Sequence, residues 1–198
     1  MHRASNFFDF SFKIGKVANK MSAITEFDFS ILDYIHNNWS NAFLDFVMPK
    51  ITFLGNVGLI WILAAVIMVI FKKYRKNGIM LAISLGCCLI IGNLLLKNIV
   101  ARPRPCWINE SVNMLISIPL DSSFPSGHTM SAFAAAAVIM YTNRKWGIAA
   151  YILAALIAFS RLYLYVHFPT DIIAGAVIGS AIGLAICLIY HKKIRRKA

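Results

Sequence analysis

Long apolar runs dominate the chain, and short polar or basic segments separate them. A run of roughly 20 apolar residues is long enough to cross a bilayer as an α-helix. Four runs reach or approach that length, and a fifth is shorter and rich in alanine. The pattern predicts helical spans at Leu54 to Phe71, Asn77 to Leu96, about Ser126 to Tyr141, Trp146 to about Tyr165, and Ile172 to Tyr190.

The N-terminal quarter of the chain fits this pattern less well. Residues 1–26 are predicted to form a polar, basic tail. This segment lacks the compact apolar core and the small-residue cleavage site of a signal peptide. From Phe27 to Phe53, mixed apolar and polar positions favour two short amphipathic helices in the membrane interface, broken near Asn38 to Ser40. The alternative is a sixth, imperfect span, which would place the basic N-terminus on the side that the charge rule prefers.

These elements predict an all-α fold: an integral-membrane bundle of five or six transmembrane helices with an N-terminal amphipathic helix pair. The membrane domain would extend over residues 27–190, followed by a basic cytoplasmic tail over residues 191–198. Gly175, Gly179 and Gly183 recur at four-residue spacing in the last span, a row that permits close helix packing in lipid.

Composition and charge support a membrane protein. The chain is 59% hydrophobic and 14% charged, whereas soluble domains carry about a quarter charged residues. The net charge of +12 could suggest nucleic-acid binding, but the positive residues cluster between apolar runs, so we expect a bilayer partner and no nucleic acid. Basic residues at 72–76, 144–145 and 192–197 fall in alternate loops, which belong in the cytoplasm. The loops at 97–124 and 162–171 then face outward.

The outward loops and the adjoining helix ends hold an unusual set of polar residues. Each group has a purely structural explanation: snorkelling anchors, a helix cap, or an ion pair between Arg161 and Asp171. These explanations do not account for positive residues and histidines collecting on the side that the charge rule disfavours. The set comprises Lys97, Arg104, Ser126, Gly127, His128, Arg161, His167 and Asp171.

Phosphoryl transfer requires side chains of these types. A phosphate brings two or more negative charges, which cations must balance in the transition state. Lys97, Arg104 and Arg161 could supply that charge without a metal, and the first turn of a helix at Gly127 is a ready anion site. We expect a helix to start near Pro169, so that an acid in its first turn reaches back to a histidine. Such a carboxylate fixes the tautomer and leaves the other ring nitrogen free to attack.

The set resembles the three-part signature of the type 2 phosphatidic acid phosphatase superfamily, which is K-x6-R-P, P-S-G-H and S-R-x5-H-x3-D. Lys97 to Pro105, Pro125 to His128, and Ser160 to Asp171 match the three parts in order and without substitution. The first spacing selects Arg104 rather than Arg102. The superfamily also contains soluble vanadium haloperoxidases.

The resemblance implies a role for each matching residue. His167 would attack phosphorus to form a phosphohistidine, Asp171 would orient it, and His128 would protonate the leaving oxygen. No metal or other cofactor is implied. The phosphoryl oxygens would be held by Lys97, Arg104, Ser126, Gly127 and Arg161.

The resemblance also implies a multi-pass phosphatase of a bacterial cell membrane, with its active site facing the extracytoplasmic side. Its substrate would be undecaprenyl pyrophosphate, phosphatidylglycerol phosphate or phosphatidic acid, and the outward site of a small chain favours the first. Three alternatives stay open: a haloperoxidase, a lipid phosphotransferase, and a non-enzymatic phosphate-lipid transporter or binding protein. The sequence does not indicate the oligomeric state.

Overall fold

The computed structural model describes residues 23–195, and every regular element in that range is helical. The predicted basic tails, 1–26 and 191–198, fall partly outside this range. The helices are α1 (23–39), α2 (Ala42–Leu54), α3 (Leu59–Ile70), α4 (Arg75–Cys88), α5 (Pro105–Ile108), α6 (Gly127–Thr142), α7 (Arg144–Tyr163) and α8 (Pro169–Arg195). A π-helical stretch, Leu89–Leu96, and a last α-helical turn, Lys97–Val100, extend α4.

Polar caps and prolines set several helix boundaries. The Asn143 side chain accepts a hydrogen bond from the Trp146 N–H at 3.2 Å and so begins α7. Pro169 occupies the first position of α8, as predicted, where a missing N–H leaves no helical bond unmade. The predicted span from Leu54 starts later than expected, because a 3₁₀ turn at Asn56–Gly58 separates α2 from α3.

By length and apolar composition, three segments among residues 23–195 could cross a membrane: Arg75–Ile108, Arg144–Tyr163 and Pro169–Lys192. The pair Ala42–Leu54 and Asn56–Ile70, bent by 43°, would make a fourth if it acts as one broken span. At 16 residues, α6 is about 24 Å long and shorter than the hydrocarbon core. The structure thus supports three or four spans, fewer than the five or six predicted. Two helices, α1 and α2, lie in the predicted N-terminal region with a break at residues 40–41, but their pairing as amphipathic helices in the interface stays a prediction.

The helix α6 lies at the centre of the bundle and packs against α4, α7 and α8. Its buried side chains are mostly alanine, which lets the neighbouring helices come close. A Cβ atom at Gly179 would lie 2.2 Å from the Met130 carbonyl oxygen, and one at Gly183 would lie 2.5 Å from that of Ala134. The predicted close packing at the glycine row is confirmed, and it fixes the start of α6 beside the start of α8.

Candidate active site

A cavity of about 1000 Å³ opens where α4, α6 and α7 end or begin. The three sequence segments singled out above meet at its polar end. The cavity is lined there by six of the eight expected residues: Lys97, Arg104, Gly127, His128, Arg161 and His167. The other two, Ser126 and Asp171, are fully buried and do not line it.

The two cations of the first segment reach the cavity by different routes. The helix ends at Val100, and Ala101 takes a left-handed φ of 46°, so Lys97 and Arg104 do not share one helix face. Asp121 joins them instead: its carboxylate contacts the Lys97 Nζ and accepts a hydrogen bond from the Arg104 Nη2 at 2.7 Å.

Asp121 was not identified from the sequence, because a single acidic residue in a long loop gives no sign of what it contacts. Partial burial opposes ionisation of this carboxyl. The hydrogen bonds and charges of Lys97 and Arg104 outweigh that effect and lower the pKa of Asp121 to about 2. An ionised carboxylate therefore bridges the two expected phosphate-binding cations.

His167 is buried in the short segment between α7 and α8. Its Nε2 lies 3.1 Å from the Arg104 Nη1, and because a guanidinium only donates, Nε2 accepts and the ring proton resides on Nδ1. Burial, followed by the charges of nearby cations, holds the pKa of His167 well below its ordinary value. The ring is therefore neutral at physiological pH and keeps a lone pair on the nitrogen that faces the cations.

Asp171, in the first turn of α8, is close to His167 as expected but is held mainly by other groups. Its Oδ2 lies 3.6 Å from the His167 Nδ1, which is too long for a hydrogen bond. The same oxygen accepts hydrogen bonds from the Phe168 N–H at 2.9 Å and from the Ser123 hydroxyl. The Oδ1 accepts from the Arg102 Nη1 at 2.8 Å. These hydrogen bonds therefore hold the Asp171 carboxylate in place without any hydrogen bond to the imidazole.

Arg161 and His128 both have partners on the segment that contains α2 and the turn after it. The Arg161 Nη1 donates to the Thr52 hydroxyl at 2.7 Å, while its buried Nε has no acceptor among the described residues. Arg161 therefore does not form the structural ion pair with Asp171 that was considered above. His128 lies with its Nε2 2.9 Å from the Asn56 Oδ1. Neither Thr52 nor Asn56 was connected with the site from the sequence.

Ser126 and Gly127 form the start of α6. The Ser126 hydroxyl accepts hydrogen bonds from the Thr129 hydroxyl at 3.0 Å and, weakly, from the Thr129 N–H at 3.5 Å. Its side chain thus acts as the helix cap, in agreement with the structural explanation. A Cβ atom at Gly127 would lie 2.9 Å from the Asn93 Oδ1, so a larger residue would press on the π-helical part of α4.

The cavity continues from its polar end into an apolar groove between α3 and α4. The first and last groove positions on α3, Ile62 and Ile70, are eight positions apart in the sequence, which corresponds to a length of about 12 Å. A Cβ atom at Gly86 would meet no atom within 4 Å, so the groove is open at that point. The groove is lined by Ile62, Val66, Val69 and Ile70 of α3 and by Ala82, Leu85, Gly86 and Leu89 of α4 and its extension.

A family model described as the PAP2 superfamily matches residues 53–195. An undecaprenyl-diphosphatase of Sulfolobus acidocaldarius is 37% identical over 122 residues, which cover 61% of this chain and 59% of that protein, so the chain spans about three fifths of that relative. Undecaprenyl-diphosphatase BcrC of Bacillus subtilis is 31% identical over 79% of this chain and 80% of its own length.

Two solved structures are also similar. A transmembrane PAP2-type phosphatidylglycerolphosphate phosphatase from Bacillus subtilis has a TM-score of 0.72 and 27% identity, over 97% of this chain and 98% of that one. Aquifex aeolicus LpxE has a TM-score of 0.66 and 28% identity, over 80% of this chain and 93% of that one. The fold and the three sequence segments therefore point to the same group of proteins.

Proposed function

Since this chain belongs to the PAP2 superfamily, we propose that it is a membrane phosphatase that hydrolyses a lipid phosphate or pyrophosphate. The observation that carries the proposal is the continuity of the cavity. Three cations and a neutral histidine lie at one end, and an apolar groove leads away from them. A molecule that fills both parts has an anionic phosphate head and a long apolar tail.

The proposed reaction begins with attack by the His167 Nε2 on phosphorus. The N–P bond forms as the bond from phosphorus to the lipid oxygen breaks, and His128, in its protonated form when the anionic substrate is bound, donates a proton to that oxygen and becomes neutral. In the second step His128 takes a proton from water, and the resulting hydroxide displaces His167 from phosphorus and releases phosphate. Asp171 orients His167 and stabilises the positive charge that its ring acquires.

In the proposed complex the phosphoryl oxygens bind to Lys97, Arg104 and Arg161. They replace the Asp121 carboxylate on Lys97 and Arg104, and they supply the acceptor that the buried Arg161 Nε lacks. Gly127 lets the backbone at the start of α6 approach an oxygen. Ser126 contributes by capping that helix and orienting its first amides. These cations provide the charge balance for which other phosphatases use a metal.

Undecaprenyl pyrophosphate, phosphatidylglycerol phosphate and phosphatidic acid all fit the proposed site. Undecaprenyl pyrophosphate is favoured, because the relatives from Sulfolobus acidocaldarius and Bacillus subtilis described above carry the name undecaprenyl-diphosphatase. The positions of the basic loops support a site on the extracytoplasmic side, because basic loops are typical of the cytoplasmic side. In this arrangement α6 is a further short span, and the membrane domain extends over residues 27–190, with residues 27–53 in the interface or as a sixth span.

The proposal is tested by phosphate release from the purified, detergent-solubilised protein in EDTA, with the three lipids as substrates. His167→Ala is expected to abolish turnover. The matched control His191→Ala, an exposed position near the opposite end of α8, is expected to keep it. Folded wild-type protein that hydrolyses none of the lipids, or full turnover by His167→Ala, would contradict the proposal. A phosphorylated acceptor formed in place of free phosphate would indicate a transferase.

A further inference from the structure

The helix α1 contributes a buried carboxylate near the candidate site, although it lies outside the residues that the family model matches. Asp28 is fully buried. Its Oδ2 accepts hydrogen bonds from the Arg102 Nη2 at 2.7 Å and from the Thr170 hydroxyl at 2.5 Å, and its Oδ1 accepts from the Thr170 N–H at 3.1 Å. A buried charge is tolerated only when it is paired in this way. The contacts connect α1 to the first turn of α8.

Arg102 connects Asp28 to the carboxylate beside His167. One guanidinium nitrogen donates to Asp28, and the other donates to the Asp171 Oδ1 at 2.8 Å. The guanidinium also lies over the Phe168 ring, with its Cζ 3.9 Å from the ring centroid. Its planar, forked geometry allows it to bridge two carboxylates and to stack on a ring at the same time. Both carboxylates are fully buried, so the bridge is shielded from solvent.

The charges in this group leave a net negative charge next to His167. Arg102 alone would neutralise Asp171, and a neutral pair stabilises an imidazolium only weakly. Asp28 adds a second negative charge and restores a net charge of minus one to the three side chains. In the proposed reaction the ring becomes positive when its Nε2 bonds to phosphorus and its Nδ1 keeps a proton. A net negative group on the Nδ1 side favours that state.

We propose that Asp28 and Arg102 are positioning residues for the reaction of His167, acting through Asp171. Arg102 holds the Asp171 Oδ1 so that the Oδ2 faces the imidazole, and Asp28 keeps the group anionic. The inference rests on the proposed function, in which His167 is the nucleophile. It assigns to α1 a part in the chemistry beyond anchoring the fold.

The test compares Asp28→Asn with Asp28→Glu in the full-length protein, using the lipid that wild-type protein hydrolyses fastest. The Asn variant keeps the size of the side chain and removes its charge. Its kcat is expected to fall by roughly tenfold, the lower end of what losing a partner one step removed from a reacting group costs. Its KM is expected to stay unchanged, since the phosphate-binding cations are untouched. The Glu variant is expected to recover much of the lost kcat.

A pH profile separates this role from a purely structural one. Removing a negative charge disfavours the imidazolium, so the pKa of His167 falls further and the acidic limb of kcat/KM moves to lower pH in Asp28→Asn. Asp28→Glu is expected to keep the limb of the wild type. The other charged or titratable groups that act on His167 are the same in all variants: Lys97, Arg104, Asp121, His128 and Arg161.

Asp33→Asn is the matched control, because Asp33 also lies on α1 and accepts a hydrogen bond from the Tyr165 hydroxyl at 2.6 Å. It is expected to leave kcat and the acidic limb unchanged. A kcat of Asp28→Asn equal to that of the wild type, or an equal fall in both Asn variants, overturns the inference. If Asp28→Asn does not fold, the kcat and KM of Arg102→Lys are measured instead. A retained kcat in Arg102→Lys overturns the inference, as does a fall in kcat that comes with a changed KM, and a lowered kcat with an unchanged KM supports it.

The proposed function is judged separately from this inference. It fails if wild-type protein does not hydrolyse any of the lipids or if His167→Ala is fully active. The inference fails when wild-type protein is active and depends on His167, but the Asp28 and Arg102 variants match it.

Discussion

Asp121 is expected to compete with phosphate for Lys97 and Arg104, and Asp121→Asn tests this. The fall in the pKa of this carboxyl from its ordinary 3.8 to about 2 corresponds to roughly 2.5 kcal/mol of favourable interaction before screening. The side chain is 56% exposed, so solvent reduces that figure to about 1 kcal/mol. An anion that displaces the carboxylate must offset this amount. Removing the charge should therefore tighten phosphate binding about fivefold.

The assay is product inhibition by inorganic phosphate, measured as its inhibition constant in wild-type protein and in the variant. The Arg104 Nε also donates to the Asp121 backbone carbonyl at 2.6 Å, a contact that the substitution preserves, so the loop should keep its position. Glu110→Gln is the matched control, since it removes the same charge from the same loop at a residue that does not line the cavity.

The pH dependence of this effect follows from the direction of the shift. A carboxyl with a depressed pKa keeps its ion pairs above that pKa and loses them only as the pH falls towards about 2. The ratio of the two inhibition constants should then stay constant between about pH 5 and 8. An unchanged or weaker inhibition by phosphate in Asp121→Asn would show that the carboxylate does not occupy the phosphate position.

Three further results are expected. Arg161→Lys should lower kcat/KM, because an ammonium cannot reproduce the planar fork; full retention would remove Arg161 from the phosphate site. Vanadate should inhibit turnover and EDTA should not, and a loss in EDTA that a divalent metal restores would contradict the cation-based mechanism. Gly179→Ala should lower thermal stability in detergent by about 1–3 kcal/mol through overpacking against Met130. Gly86→Ala, where a Cβ atom meets no atom within 4 Å, should not; equal effects would refute the packing argument.

The helices of the long apolar runs could be predicted from the sequence, because bilayer-length apolar runs leave little choice of structure, although their number as complete spans could not. The α7 span was expected at Trp146 to about Tyr165 and is found at Arg144–Tyr163. The prediction was less accurate around Gly55 and Gly58, where a 3₁₀ turn interrupts an apolar run that looks continuous in the sequence. Hydropathy averages over such a turn, whereas the backbone changes direction at individual residues.

The cations and histidines of the site could be predicted because their spacing matches a signature. Their partners could not be, because those contacts join residues far apart in sequence without any repeating pattern. Asp28 is separated from Thr170 by 142 positions, and Thr52 from Arg161 by 109. Asp121 illustrates the same limit: its ion pairs become evident only once the loop is placed over the cavity. The sequence therefore indicates which groups are candidates for the reaction, and the fold determines how they are held.

The groove between α3 and α4 affects how the enzyme responds to the amount of its substrate. A tail that stays in the apolar phase is diluted by other lipids or detergent and not by the volume of water. Adding inert detergent at a fixed bulk concentration of substrate should slow the reaction. The KM for the lipid should therefore be expressed as a mole fraction. Inorganic phosphate reaches the polar end of the cavity from water and follows molar concentration. Binding of the lipid to this cavity thus depends on its mole fraction in the apolar phase, whereas binding of the soluble product depends on its molar concentration in water.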